Sequence, residues 1–201
     1  MPEGDMKSWL TPSDEELRLH QGHLSGVWVN QPQTFGDQRG FFREAFRIHD
    51  LESVVGRPLN FVQMNHSRSL RGALRGLHAE DWEKLVYVAH GEVFVALADI
   101  RPASPTFGDV ETFTMSAEHS LTLFIPRGVA HGYCVLSDVA DYTYQASAYY
   151  DGTDRRAVAW DDPDLAVPWP LESPILSDRD RRNPTMRELF PDRFAKPQPA
   201  H

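Results

Sequence analysis

The chain has 201 residues, of which 41% are apolar and 24% charged, so it is long enough for one globular domain and too apolar for extended disorder. Its formal net charge of −9 argues against a nucleic-acid-binding scaffold, because phosphate neutralisation requires a basic surface. No stretch approaches the about 20 apolar residues of a membrane span, and the acidic start does not resemble a signal peptide. The single cysteine, Cys134, has apolar neighbours and indicates a buried thiol in a reducing compartment, so we expect a cytoplasmic protein.

The ends of the chain differ in composition from its middle. Residues 1–22 are polar and predict an N-terminal extension outside the core, with a short capped helix near Ser13. We expect a single domain over residues 23–190. Residues 191–201 are expected to form a flexible tail.

The first predicted strand, near Val27, leads into residues 35–44. Two glycines in that segment bracket a turn before an aromatic strand. Arg39 and Glu44 either form a cross-strand ion pair there or contact a ligand, and the residues alone favour neither.

A short surface helix is predicted over residues 47–57, ending at Gly56. The strand pattern resumes at residues 61–65. Alternation places Gln63 and Asn65 on one face, and such a pair of amides is suited to binding polar groups.

Residues 72–88 contain the most informative chemistry. Arg75 and His78 are separated by two residues, the first being Gly76; if the glycine breaks the alternation and produces a bulge, both side chains face one cavity. Lys84 then opens a β-branched and aromatic run that is typical of a buried strand. The competing interpretation is a hairpin with a charged surface.

Further strands are predicted between residues 91 and 147, separated by short turns. One turn places His131 where its imidazole would point into the mouth of a barrel, and alternation puts Tyr142 and Tyr144 on one face of the last strand. Short strands, regular turns and hardly any helix favour an all-β, cupin-like jelly-roll barrel with short peripheral helices.

The chain from Trp160 onward, called the tail below, is rich in proline and acidic residues. Ser177 and Asp178 are suited to capping a short helix. Periodicity leaves open whether the tail returns over the barrel, although its large apolar residues would be costly to leave in water. These residues are Trp160, Trp169, Leu171 and Ile175.

A metal centre is the first function to test, since cupin barrels often hold an ion through histidines and a carboxylate. The chain has no His-x-His pair, and only Glu83 and His131 are plausible companions for His78. His90 and His119 lie in apparent turns and are expected to face solvent. We therefore expect no metal and no other cofactor.

The polar residues instead suit proton abstraction next to a carbonyl group. A neutral His78 can take a proton near neutral pH, a cationic Lys84 can stabilise an enolate oxygen, and a phenol can return a proton to the opposite face of the carbon. Tyr144 and Tyr150 are the candidate phenols, with ordinary core or rim packing as the alternative. Groups suited to an anionic, polar substrate are Arg39, Arg75, Gln63 and Asn65.

Taken in order, the motifs between residues 27 and 180 resemble those of the dTDP-4-dehydrorhamnose 3,5-epimerase family. The matching segments are residues 35–44, 61–67, 74–78, 84–86, 104–108, 125–132, 160–163 and 176–180, together with Tyr144, Tyr149 and Tyr150. The resemblance implies a metal-free cupin-like jelly roll. It also implies a homodimer in which the segment around Arg39 reaches the neighbour's site.

By position, the resemblance implies that His78 is the general base with Asp180 as its carboxylate partner, that Tyr144 is the general acid and that Lys84 holds the enolate oxygen at C4. The residues implied to contact the substrate are Arg39, Glu44, Gln63, Asn65, Arg75, His131 and Arg179, and Tyr150 is implied to stack on the base. The implied reaction converts dTDP-4-dehydro-6-deoxy-D-glucose into dTDP-4-dehydro-L-rhamnose by inversion at C3 and C5.

The chain departs from the family pattern beside the catalytic histidine. Residues 79–83, Ala-Glu-Asp-Trp-Glu, fill a shorter gap and add acidic residues, and Arg155 stands where the family often has glutamate. Three alternatives therefore stay open: inversion at one carbon only, a 3,4-ketoisomerase reaction that reuses His78, and a non-catalytic cupin that binds a sugar nucleotide.

Overall fold

The computed structural model describes residues 19–152 and 156–194, and within them the chain consists mainly of short strands. The strands are β1 Leu19–Gln21, β2 Trp28–Asn30, β3 Thr34–Asp37, β4 Gly40–Arg43, β5 Gln63–Leu70, β6 Leu74–His78, β7 Lys84–His90, β8 Glu92–Asp99, β9 Val110–Ser116, β10 Thr122–Ile125, β11 Val129–Val135 and β12 Val139–Ala146. The helices are α1 Ile48–Val55, α2 Met186–Leu189 and α3 Pro191–Phe194, with a 3-10 turn at Asp180–Arg182. The predicted all-β fold with short peripheral helices is confirmed.

Two sheets face each other and enclose the main core. The six-stranded sheet has the order β1-β2-β10-β7-β12-β5, and the four-stranded sheet has the order β6-β11-β8-β9. Alternate apolar residues of both sheets point into the space between them, among them Val86 of β7, Val95 and Leu97 of β8, and Val135 of β11. This antiparallel arrangement is the predicted jelly roll.

A bulge in β6 occurs at Gly76. The register between β6 and β11 shifts between His131 and Tyr133 of β11. Gly76 has a φ of 138°, and a Cβ atom added there would lie 2.5 Å from Gly132 Cα, so only glycine fits this close approach. The predicted bulge is confirmed. The alternative of a charged hairpin is wrong, because β6 and β7 lie in different sheets.

The region before β5 follows its predicted pattern. β3 and β4 form a two-stranded hairpin of their own, joined by the turn that the two glycines indicate. Helix α1 ends at Gly56, whose left-handed backbone lets its N–H donate to Glu52 O at 2.9 Å. Leu51 of α1 packs against Leu85 of β7 and Phe124 of β10, both in the six-stranded sheet.

The tail folds back over the outer face of the four-stranded sheet, which decides the question that periodicity leaves open. Just before the tail, Val158 exchanges two backbone hydrogen bonds with Leu77 of β6, at 3.0 and 3.3 Å. Trp169 packs against Phe94 with the ring centroids 5.7 Å apart. Ile175 does not follow the expectation of burial: its backbone bonds the edge of β6, but its side chain is 63% exposed.

Two elements of the structure, β1 and α3, lie beyond the limits of the predicted domain, residues 23–190. β1 pairs with β2, so residues 19–21 belong to the six-stranded sheet and not to an extension that ends at residue 22. Helix α3 occupies the start of residues 191–201, which the sequence predicts to be flexible. Its Phe194 packs against the apolar cluster between the tail and the four-stranded sheet, which includes Ala96 and Leu165. The helix predicted near Ser13 and residues 195–201 lie outside the described residues.

None of the helices in the described parts of the chain has the length and apolar character needed to cross a membrane.

Candidate active site

The bulge places Arg75 and His78 on the same face of the four-stranded sheet. His78 pairs with His131, and Arg75 pairs with Tyr133. Cross-strand partners project to the same face of a sheet, and both partners on β11 stack on Tyr142 between the two sheets. Arg75 and His78 therefore project from the same face of the sheet, with His78 partly buried and Arg75 exposed.

His78 is held by a carboxylate from the tail. Its Nε2 lies 2.6 Å from Asp180 Oδ1, and the backbone N–H of Asp180 donates to Ser177 Oγ at 3.1 Å. The cap position of the 3-10 turn is occupied by Arg179, without a side-chain capping bond, and not by Ser177 or Asp178 as the sequence suggests. Burial raises the pKa of the Asp180 carboxyl, but the hydrogen bond and charge of His78, together with hydrogen bonds from Ser177 and Gly76, lower it more, so the net pKa shift is downward. An ionised Asp180 orients the imidazole and leaves one ring nitrogen for proton transfer.

Lys84 lies at the start of β7, buried beside Glu80. Its Nζ is bonded to the Glu80 carboxylate. Burial raises the pKa of the Glu80 carboxyl, but the charge and hydrogen bond of Lys84 and the charge of His78 together lower it more, so the net pKa shift is downward. An ammonium has three donors, so one bond to Glu80 leaves two for a substrate oxygen. The sequence does not reveal this pairing, because the spacing of four residues indicates contact only in a helix.

His131 lies deeper than the barrel mouth where the sequence places it. It is buried, and its Nε2 lies 2.8 Å from Tyr142 Oη. Burial lowers the pKa of the His131 imidazole, and the charges of Lys84 and His78 lower it further. His131 is therefore neutral. The sequence indicates Tyr142, the partner of His131, only as the neighbour of Tyr144 on one strand face.

Tyr144 shares a face of β12 with Tyr142, as alternation predicts. It pairs with Asn65 across β5 and β12, and Lys84 Nζ lies 5.9 Å from the centroid of its ring. Burial raises the pKa of the Tyr144 phenol, the charge of Glu80 raises it further, and a hydrogen bond with Asn65 opposes the shift. The phenol is therefore protonated at neutral pH.

The predicted base and acid project from opposite sheets. His78 belongs to the four-stranded sheet and Tyr144 to the six-stranded sheet. The hydrogen bond between His131 and Tyr142 joins the two sheets near them, and Glu80 is close enough to interact electrostatically with both. Such an arrangement is able to remove a proton from one face of a carbon and return one to the other.

The predicted amides and Tyr150 form a row that leads from Tyr144 to the surface. Gln63 Nε2 donates to Asn65 Oδ1 at 2.8 Å, and the Tyr150 backbone N–H donates to Gln63 Oε1 at 3.0 Å. The exposed ring of Tyr150 meets Trp82 edge-on, with centroids 6.1 Å apart. Trp82 is a further member of the site, unassigned by the sequence.

Two arginines are available near the His78–Asp180 pair. Arg75 is exposed, and its Nε donates to Ser69 Oγ at 3.0 Å. Arg179 directly precedes Asp180, and its Nη2 is buried without a hydrogen-bond partner among the described residues. Such a donor is suited to a ligand oxygen.

Arg39 and Glu44 do not form the ion pair that the sequence leaves possible. Arg39 pairs with Asp37 at 2.5 Å, and Glu44 pairs with Arg47 at 2.6 Å. In the described residues, neither side chain is bonded to a group of the His78 site. Both lie exposed on or just after the β3–β4 hairpin.

The remaining candidates for a metal site are dispersed. Across residues 19–152 and 156–194, no three His, Cys, Asp or Glu side chains are grouped as metal ligands. Glu83 is bonded to Arg57 instead. His90 and His119 are exposed, as predicted.

The chain is similar over most of its length to characterised sugar-nucleotide epimerases. A family model described as dTDP-4-dehydrorhamnose 3,5-epimerase matches residues 21–188. The dTDP-4-dehydrorhamnose 3,5-epimerase of Shigella flexneri is 45% identical over 168 residues, which cover 82% of this chain and 93% of that protein.

Solved structures show the same likeness. A dTDP-6-deoxy-D-glucose-3,5-epimerase from Legionella pneumophila, in complex with dTDP-4-keto-L-rhamnose, is 37% identical with a TM-score of 0.80, covering 90% of this chain and 98% of that one. A 3'-monoepimerase from Streptomyces bikiniensis, in complex with dTDP-quinovose, is 32% identical with a TM-score of 0.80, covering 86% of this chain and 90% of that one.

Proposed function

We propose that the chain converts dTDP-4-dehydro-6-deoxy-D-glucose into dTDP-4-dehydro-L-rhamnose, because it belongs to the dTDP-4-dehydrorhamnose 3,5-epimerase family. The observation that carries the proposal is the placement of the His78–Asp180 pair and of Tyr144 on opposite sheets of one interior space, with Lys84 beside the phenol. This arrangement supplies a base, an acid and a cation for enolate chemistry.

The reaction uses the acidity that a C4 carbonyl gives to the hydrogens on C3 and C5. We assign proton removal to His78: the C–H bond breaks, the proton moves to the imidazole, and the electron pair moves to the C4 oxygen. Asp180 stabilises the imidazolium, and the Lys84 ammonium binds the enolate oxygen. Tyr144 donates its proton to the opposite face of the carbon, so a new C–H bond forms with inverted configuration. Exchange with solvent restores both groups before the second carbon reacts.

Substrate binding is assigned to groups that surround these four residues. The two phosphates need cationic donors, which Arg75 and Arg179 supply. The sugar hydroxyls suit the amides of Gln63 and Asn65, and the exposed ring of Tyr150 offers a surface on which a base can stack. His131, being neutral and fixed by Tyr142, is a candidate donor to the sugar through its other nitrogen.

A homodimer with an exchanged segment is proposed for the β3–β4 hairpin. The hairpin pairs with no other strand among the described residues, and Phe41 and Phe42 on it are each 59% exposed. Large aromatic rings are usually buried, and a second copy of the chain would bury them. Strand β5 is a sheet edge with exposed apolar side chains, so it offers a place for the neighbour's hairpin. This would bring Arg39 and Glu44 to the other chain's substrate.

Isotope exchange tests the proposed function. The protein is incubated with dTDP-4-dehydro-6-deoxyglucose in deuterated water, and the label is located by mass spectrometry and NMR. Label at C3 and C5 is expected. Label at one carbon would show a single-site epimerase, and a product with its carbonyl at C3 would show a ketoisomerase. Absence of exchange with this substrate and with its GDP- and CDP-linked analogues would overturn the assignment as an enzyme.

A further inference from the structure

The short segment after the catalytic histidine contains three carboxylates, each paired with a basic residue from a different part of the fold. Asp81 pairs with Arg156, which shortly precedes the tail, at 3.5 Å. Glu83 is bonded to Arg57, which follows α1. Glu80 is bonded to Lys84 of β7, and it is the one of the three whose basic partner is also buried.

Glu80 lies close enough to Lys84 and Tyr144 for its negative charge to act on both. The Lys84 side chain is 7% exposed and that of Glu80 is 9% exposed, so water screens their interaction little. Without Glu80, Lys84 would be a buried ammonium among the imidazoles of His78 and His131, a costly arrangement for a charged group. A single bond to Glu80 satisfies that ammonium and still leaves donors for a substrate oxygen.

The groups that act on the Tyr144 phenol come from three other strands and two connecting segments. They are Glu80 in the loop, Lys84 on β7, Asn65 on β5, Tyr133 on β11 and Tyr150 after β12. Of these, Glu80 is the one negative charge at neutral pH. A fixed negative charge beside a phenol disfavours its ionisation and so retains the proton that Tyr144 must donate.

We propose that Glu80 is a positioning residue of the active site, which holds the Lys84 ammonium against the C4 oxygen and sets a fixed negative charge beside Tyr144. The proposal rests on the proposed epimerase function and deepens it. It implies two separable effects: the side-chain length of Glu80 places Lys84, and its charge retains the Tyr144 proton.

Three variants separate these effects. Glu80→Gln removes the charge and keeps the shape, Glu80→Asp keeps the charge and withdraws the carboxylate from Lys84, and Asp81→Asn is the matched control in the same loop. The readouts are the pH profile of kcat/KM for exchange and the midpoint of Tyr144 ionisation. That midpoint is followed by NMR of ring-labelled tyrosine and assigned with Tyr144→Phe.

For Glu80→Gln we expect the alkaline limb of the profile and the Tyr144 midpoint to move down together by about one pH unit, with kcat reduced about tenfold or more. For Glu80→Asp we expect a similar loss of kcat while the alkaline limb stays in place. Asp81→Asn is expected to leave both readouts unchanged.

The outcomes distinguish this proposal from the proposed function. If Glu80→Gln retains both the wild-type limb and the wild-type Tyr144 midpoint, the positioning role is wrong even though the enzyme works. If the wild-type protein exchanges no substrate, the proposed function fails, and the Tyr144 midpoint still decides whether Glu80 acts on the phenol. If Glu80→Gln does not fold, unchanged kcat in Glu80→Asp would by itself refute the placement of Lys84.

Discussion

His78 Nε2 and Asp180 Oδ1 lie 2.6 Å apart, although 102 residues separate them in the chain. The contact exists because the tail returns across β6, where Asn183 Nδ2 also donates to Gly76 O at 3.4 Å. The candidate base therefore belongs to the barrel and its carboxylate partner to the tail. The proposed role of His78 therefore predicts that docking of the tail is a condition for activity and not only for stability.

Removal of the base is expected to abolish exchange. His78→Asn should lower the rate of deuterium incorporation by about 10²–10⁴-fold, because no other group replaces the imidazole as proton acceptor. The control is His90→Asn, which alters an exposed histidine and should leave the rate unchanged. Exchange in His78→Asn at near the wild-type rate would assign the base elsewhere.

The role of Tyr144 separates proton removal from inversion. Tyr144→Phe is expected to retain incorporation of deuterium without inversion, because His78 can return a proton to the face from which it took one. NMR of the recovered sugar distinguishes labelled starting material from inverted product. Tyr149→Phe is the control, since Tyr149 is 72% exposed. Equal loss of exchange and inversion in Tyr144→Phe would contradict the division of roles.

The bulge should tolerate no side chain at Gly76. Gly76→Ala is expected to lower the free energy of unfolding by about 3 kcal/mol, since it combines an unfavourable φ with a contact to the β11 backbone. Gly72→Ala is the matched control: its φ is 81°, but nothing lies within 4 Å of the added Cβ, so about 1 kcal/mol is expected. Urea unfolding followed by circular dichroism measures both. Similar losses would show that close approach to β11 is unimportant.

The contribution of the His78–Asp180 pair to stability should depend on pH. Its carboxyl has a lowered pKa in the folded protein, so its contribution to stability is complete above the unfolded value of about 4 and is lost as the pH falls through the lower, folded value. Asp180→Asn should therefore show a shallower decline of stability below about pH 4 than the wild-type protein does. The exposed Asp178 provides the control, Asp178→Asn. An unchanged slope in Asp180→Asn would show that the pair does not stabilise the fold.

Exchange of the β3–β4 hairpin predicts complementation between two defective chains. Arg39→Ala and His78→Asn are co-expressed with different tags, and the doubly tagged dimer is purified. If Arg39 serves the neighbour's site, this heterodimer has one intact site of two and about half the wild-type activity, whereas each parent homodimer has little.

The control for that experiment replaces Arg39→Ala by Arg71→Ala, which alters an exposed arginine paired with Asp138. The Arg71→Ala homodimer should be fully active. A doubly tagged dimer of Arg39→Ala and His78→Asn with no more activity than its parents, or a monomeric wild-type protein, would refute the exchange.

Much of the local structure follows from the sequence by itself. Alternation of apolar and polar residues is enough to predict the strands and the shared face of Tyr142 and Tyr144, because successive side chains of a strand point to opposite sides. Glycine is informative for a related reason: a positive φ at Gly56 and Gly76 is open to few other residues, so the helix end and the bulge are predictable.

The tertiary structure alone decided which charged groups meet. Arg39 pairs with Asp37 rather than Glu44, and Glu80 pairs with Lys84. The tertiary structure also adds β1 and α3 to the fold, in segments that the sequence predicts to lie outside the domain. The partnership of His78 with Asp180 is the exception, since the resemblance to a family implies it although no local pattern indicates it. The physical reason is that a side chain's partner depends on strand register and on how the tail packs, both of which are set by burial of apolar surface summed over the whole chain.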